Sequence, residues 1–577
     1  MKTPTRKRGQ KFLRRFSRLS QKASNDSKEH IKENLVERIS HVENIRLLVL
    51  EWSLLVVALI MLSITQAFWS ANSYSSDIFT AGGTYTEATL GKINSMNPLF
   101  ATTSSEKTLS RLMFATIATV DYSGHPGAGL AESITSDNTG KVWTVKLRDN
   151  LKWTDGEPIT NADVLFTAEL IQNPAVNTIY DSNLTGIKVA QNDSGEITFT
   201  LPTAYADFLS ALTIPVVPAH ILSDIDPRNI LESDFSTNPV TSGAFTLNAV
   251  QSSSSSTEKT VYLTANPSYY KGAPLLSSFA LHAYTNREAL LAAMNAGTIT
   301  ATAELSATES NLVNSTIYNE KGSSINSGVF TFFNTASDLF KNKTLRTAVR
   351  QGINLDFVRS VATSSTPLDY PLLSSQITIP KYPTIPTYDR DASLAAIGKI
   401  IQDSPTVNLV TVRKSYLPTV AEALKTELEA LGFAVNLSIY EENQDFITNI
   451  ISRRSYDILL YEIELGYDPD LLPYYHSSQA TSSGLNLSNY QNAVVDDLLL
   501  AARSTLDTNL RAKKYQTFLE FWVADAPAIA LYQTNLTYFY NKNIRTFDND
   551  VRLITPLDRF ADITNWATVK ETKNYTP

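Results

Sequence analysis

The chain has 577 residues, no cysteine, and 49 Lys+Arg against 57 Asp+Glu. This is chain enough for about three or four domains, and 18% charged with 10% aromatic residues excludes the composition of a disordered protein. The missing cysteine excludes disulfides, thiolate metal sites, iron–sulfur clusters, thiol nucleophiles and a lipid-modified cysteine anchor.

In chain order, the first element is a basic head. Residues 1–46 hold thirteen Lys/Arg and five Asp/Glu, a net of +8, so the remaining 531 residues carry −16. An acidic body lacks the clustered positive surface that nucleic acid requires, and no nucleic-acid partner is expected. Within the head, Ile31, Leu35, Val36, Ile39, Val42 and Ile45 fall near helical spacing behind Asp26 and Glu29, which resemble a capping box. That helix reads either as a contact for a partner or membrane surface, or as an extension of the segment that follows.

Leu47–Trp69 is apolar, with Glu51 its one charge and Trp52 and Trp69 towards its ends. Its 23 residues would extend about 34 Å as a helix, enough for a hydrocarbon core of roughly 30 Å. The pattern predicts an uncleaved signal anchor, with 1–46 cytoplasmic and 70–577 outside by the positive-inside rule. Residues 70–82 are small and polar and read as a linker.

Strand-like and helix-like segments then alternate. Trp143, Val145 and Leu147 share one strand face, and Thr160 or Asn161 caps a helix running through Asp163 to Ile171. Ser252–Ser256 reads as a hairpin loop. Val407–Val412 is a buried-type strand, and Leu417, Val420, Ala421, Leu424, Leu428 and Leu431 form one helical face ending at Gly432. Phe433, Val435, Leu437 and Ile439 alternate as the next strand, which implies a right-handed crossover and a parallel pair. Asp457–Glu464 supplies a further strand.

The chain lacks a phosphate loop, a dinucleotide fingerprint, a nucleophile elbow and a zinc-protease helix motif. Its six histidines are scattered, so neither a metal nor another cofactor is expected. Ser104–Lys107 fits SxxK and Ser136-Asp137-Asn138 fits SDN, but the KTG or KSG triplet of serine acyl-enzymes is absent. Catalysis is not expected.

One longer stretch is specific. Residues 130–166 read LAESITSDNTGKVWTVKLRDNLKWTDGEPITNADVLF. Before it comes Asn97-Pro98-Leu99-Phe100, and after it Val217-Pro218-Ala219-His220, Asn238-Pro239-Val240 through Phe245, Asn266-Pro267 with Tyr269-Tyr270, Asp468-Pro469-Asp470, His476-Ser477-Ser478 and Asp525-Ala526-Pro527. In this order the segments resemble the family-5 extracellular solute-binding proteins, the oligopeptide- and dipeptide-binding components of ABC importers. The resemblance covers roughly 80–545.

It implies an α/β, two-lobed periplasmic-binding-protein-like fold with an extra small domain, here preceded by one transmembrane helix. Mapped onto this chain, lobe I comprises 83–109, 236–330 and 541–577, the extra domain 110–235, and lobe II 331–540. Most signature residues read as architecture rather than as ligand contacts. The implied ligand is a peptide held extended between the lobes. The implied binding residues are Thr102 and Thr103 on one side, and Glu462, Ile463, Glu464, Gly466, Tyr467, Asp468 and Tyr475 on the other. Peptide binders place an aspartate just past that strand to pair with the ligand's α-ammonium. An ungapped reading puts Gly466 there, so Glu462, Glu464 and Asp468 read either as carboxylates that serve from a shifted position or as solvated rim residues.

The implied partners are a peptide ligand and ABC permease and ATPase subunits. Two alternatives stay open: a surface sensor using the same module, favoured by the long basic head, and a binder of a non-peptide solute, favoured if none of those carboxylates reaches the cleft.

Overall fold

The computed structural model describes residues 45–73, 75–252, 258–363, 365–548 and 551–574. The helix expected near residues 31–45 lies almost wholly outside the described residues, as does most of the Ser252–Ser256 loop. The chain divides into two units, Met1–Ile78 with Glu571–Pro577, and Phe79–Lys570.

In the first unit Ile45–Ser73 is one 29-residue helix. Its described apolar side chains, from Leu50 to Ile64, are exposed: Trp52 at 63%, Leu59 at 56% and Met61 at 64%. Ser63 and Thr65 donate their hydroxyls back to the Leu59 and Met61 carbonyls, each at 2.8 Å, which satisfies them within the helix. Among the described residues no helix is long and apolar enough to cross a membrane. The spanning helix expected at Leu47–Trp69 is therefore not supported.

The second unit is organised by one sheet. Its strands run in the order Ala434–Tyr440, Thr406–Val412, Ile458–Glu464, Tyr318–Phe333, Ala528–Asn541, Ala301–Thr302, Thr84–Leu90, Ser278–Tyr284, Glu258–Ala265 and Phe245–Ser252. Thr406–Val412 and Ala434–Tyr440 are parallel, as the helical crossover between them requires. That crossover, Leu417–Ala430, buries Val420, Ala421, Leu424 and Leu428 against the sheet. Gly432, at φ +91°, reverses the chain where a side chain would be strained.

Tyr318–Phe333 and Ala528–Asn541, 16 and 14 residues long, traverse the whole unit as an antiparallel pair. Along them the apolar core changes hands. Ile325, Leu536 and Tyr538 pack into one core, whereas Val329 onward and Ala528 to Tyr532 pack into another. Between these stretches the pairing register shifts from Ser324 to Gly328. A bulge in a ladder whose flanks belong to separate cores is where the sheet bends most easily. The stretches 325–328 and 533–535 thus mark the boundary between the two cores, a position suited to a hinge, with lobe I on the Thr84–Leu90 side and lobe II on the Thr406–Val412 side.

A second sheet, Ala131–Ser136, Val142–Leu147, Ile197–Thr200 and Lys188–Gln191, lies within residues 110–235. Trp143, Val145 and Phe199 join the same core as Tyr85 and Phe279, so this small sheet shares the lobe I interior. Its signature residues build it. Thr160 and Asp163 form a capping box at the start of Asn161–Gln172. The other Asp163 oxygen accepts from Ala219 N at 2.9 Å, and Asp155 meets His220 at 2.8 Å. The Asp155-Gly156 and Pro218–His220 turns are thereby tied together.

Deep in lobe I, Glu87 and Arg559, 0% and 2% exposed, form an ion pair. Tyr85 donates to the second Glu87 oxygen at 3.0 Å, and the Tyr538 hydroxyl lies 3.4 Å from it. Glu87 holds Arg559 above its ordinary range even though burial opposes the charge. Burial and the Glu87 charge push both tyrosines well up.

Candidate ligand cleft at the hinge

Ile458–Glu464 lies beside the hinge, its Glu464 paired with Ser327 and its Ile463 with Gly328. Alternation along the strand puts Glu462 and Glu464 on one face and buries Ile463, 6% exposed, on the other. Beyond the strand the chain stays attached to the bulge. Leu465 N donates to Asn326 O at 2.8 Å, while Asn326 Nδ2 and Gln376 Nε2 donate to Gly466 O at 2.8 and 3.1 Å. Gly466 has φ +70°, so it serves as the turn residue.

The carboxylates expected to wait for a ligand have different fates. Glu462 Oε1 accepts from Ser327 Oγ at 2.8 Å and Thr534 Oγ1 at 2.9 Å, joining both hinge strands. Its Oε2 lies 2.9 Å from Lys414 Nζ. Burial would raise this carboxyl, but Lys414 and the hydroxyls hold it below the usual range. Asp468 is gripped in two-pronged fashion by Arg511, at 2.6 and 2.8 Å. Both are committed within the protein. Glu464 is exposed, and among the described residues its carboxylate has no hydrogen-bond or ion-pair partner. It is the available anion of the three.

The other expected contacts need correction in two places. Tyr475 is 0% exposed and packs on Phe518 inside lobe II, so it is a core residue without a face to the cleft. Thr103 is the N-cap of Ser104–Met113, spending its hydroxyl on Glu106 N and Lys92 O. Thr102 directs its N–H and hydroxyl at Glu106 Oε2, at 3.0 and 3.2 Å. Glu106 also takes Asn94 N at 2.8 Å, and these backbone donors hold its carboxyl low despite burial. Glu106 therefore shapes the loop that the two threonines were expected to present, and the T-x-x-E pattern at Thr103–Glu106 was the sequence signal for it. Tyr467 is half-buried, its ring edge-on to His125 at 5.6 Å.

Residues 110–235 also touch lobe II directly. Ala206 N donates to Arg503 O at 2.9 Å, and the Arg503 guanidinium lies 4.4 Å over the Tyr205 ring. Next to this contact sit Asp207, Asp468 and Asp470, with Arg503 3.0 Å from Asp470. Burial raises Asp468 and Asp470 above the usual carboxylate range in spite of their arginines. Asp207 is pushed up to about 8, by burial first and then by the Asp468 charge.

A family model described as "Bacterial extracellular solute-binding proteins, family 5 Middle" matches residues 125–484. The chain belongs to this family. It is a solute-binding protein rather than an enzyme, and the Ser104 hydroxyl of the SxxK match is spent on Glu304. It is 24% identical over 516 residues to the oligopeptide-binding protein AppA of Bacillus subtilis, covering 84% of this chain and 92% of AppA. The structure of AppA from Bacillus subtilis in complex with a nonapeptide superposes with a TM-score of 0.71 at 21% identity, over 85% of this chain and 99% of that one. The ABC transporter substrate-binding protein CtaP of Listeria monocytogenes gives 0.74 at 23% identity, over 85% and 100%. The mixed α/β fold is that of these binding proteins.

The Asp207 contact makes a pH prediction for this family member. A carboxyl whose pKa rises on folding takes up a proton, so its contribution is full below about pH 4, declines as pH rises, and is lost above about 8. The Asp207→Asn variant should therefore gain thermal stability over the parent progressively from pH 5 to 8 and then plateau. Parallel melting curves of the two proteins across that range check it; a constant difference contradicts the assignment.

Proposed function

We propose that the protein is a membrane-tethered, extracytoplasmic binder that captures peptides by hinge closure and delivers them to an ABC importer. The observation that carries this reading is the exposed Glu464 carboxylate, which has no hydrogen-bond or ion-pair partner among the described residues, on the strand bound to both the bulge and the Gly466 turn. A peptide α-ammonium entering a closing cleft needs such a partner, because an unpaired buried charge costs several kcal/mol. The structure of AppA in complex with a nonapeptide supports a peptide as the ligand class. Closure shifts an open–closed equilibrium, and a permease with its ATPase subunits would read the closed form. The exposed apolar side chains of Ile45–Ser73 support the tether, since water is a poor solvent for such a surface.

A non-peptide solute is the second reading, favoured by the internal commitment of Glu462 and Asp468. One experiment separates them. The full-length chain is recovered from membranes after alkaline washing, solubilised, and examined by native mass spectrometry for co-purified ligand. Retention on the membrane with a ladder of peptide masses is expected. Loss in the wash would remove the tether, and sugars or metal complexes alone would remove the peptide.

A further inference from the structure

Lobe II contains a cavity of about 150 Å³ away from the hinge face of Glu464. It opens beside Arg350, in the last turn of the helix Lys343–Gly352. Arg350 is only 6% exposed, and its Nε and Nη1 are buried without a hydrogen-bond partner among the described residues. The charged neighbours on the cavity wall do not help it. Arg359 is itself cationic, and its Asp369 partner, 2.8 Å away, is already paired. The Tyr370 hydroxyl donates to Pro383 O at 2.6 Å. Leu355, Ile385 and Ile529 close the remaining sides with apolar surface. Position at a helix C-terminus favours a cation modestly but supplies these N–H groups with no acceptor. Burial pulls the guanidinium down to about 10, the direction expected of a charge without a counter-charge.

A guanidinium whose Nε and Nη1 are buried beside a small cavity lacks one thing, an acceptor with negative charge. Its planar fork matches two oxygens of one oxyanion. We propose that lobe II carries a small-oxyanion site at Arg350, taking a phosphate- or carboxylate-sized ion in this cavity. The site is independent of what binds at the hinge. The ion would sit against Ile529 and Ala530, at the lobe II end of a hinge strand.

The test uses the full-length chain in detergent, buffered with an organic sulfonate too large for the cavity. Radiolabelled inorganic phosphate and acetate are dialysed against it separately at constant ionic strength, and thermal midpoints are followed in parallel. One of the two anions should bind saturably at one per chain and raise the midpoint, and which one does so identifies the source. Arg350→Met should bind none and show no anion-dependent shift. In anion-free buffer it should melt at or above the parent, because removing an unpaired buried charge relieves a cost. Absence of saturable binding of either anion to the parent overturns the site whatever the variant does, and equal binding to Arg350→Met overturns the role of Arg350.

Discussion

Replacing Glu464 with alanine is expected to weaken binding of a peptide with a free amino terminus by about 10- to 100-fold, the loss of a charge-assisted hydrogen bond of about 1.5–3 kcal/mol. An N-acetylated version of the same peptide should bind the parent weakly and be insensitive to the substitution, because it has no ammonium to pair. Titration calorimetry with the two peptides and two proteins completes the cycle. Unchanged affinity of the free peptide for Glu464→Ala would show that the ammonium is met elsewhere, or that peptides are not the ligand. Glu462→Gln serves as the contrast. Its carboxylate joins Ser327, Thr534 and Lys414, so its loss acts on the hinge and should change the affinity for both peptides alike.

The second large effect lies far from the cleft. Arg559→Leu or Glu87→Leu should each destabilise the protein by about 3–5 kcal/mol, since either leaves an uncompensated charge in the lobe I core. The double variant should recover much of that loss, because a buried ion pair replaced by apolar side chains is often neutral in stability. Urea midpoints of the parent, the two single variants and the double variant measure the coupling. Additive losses would mean that the pair contributes only through packing. The pair spans Thr84–Leu90 and the segment Pro556–Asn565, so it fastens the C-terminal part of the chain to the lobe I sheet.

Some of this was legible in the sequence for a local reason. The strand, helix and strand from Thr406 to Tyr440 were readable because a 2-residue or 3.6-residue apolar period reports which face of an element is buried. The same holds for Trp143 and Val145, and for the Thr160 cap. The fates of Glu462 and Glu464 were not readable. They sit two residues apart on one strand face, and the difference between them comes from Ser327, Thr534 and Lys414, remote in sequence. Tyr467 and Tyr475 are the same residue type in one short stretch, yet one is half-buried beside His125 and the other lies in the core. Arg350 is the strongest case. Nothing in the helical run Lys343–Gly352 marks it out, and only the fold buries it, on the wall of a cavity shared with Trp522, Ile529 and Tyr370.

The sequence by itself determined the absence of thiol chemistry, the basic head ahead of an acidic body, the apolar segment after it, and the ordered segments by which the family is recognised. Those features are composition, or patterns within one element, and each residue's neighbours along the chain suffice to define them. The tertiary structure decided where the sheet bends, which carboxylate is left free, and which arginine is left without a partner. Each of these is the outcome of pairing between groups on separate elements, from tens of residues to more than a hundred apart, and a charge is spent or available only according to what the fold brings beside it.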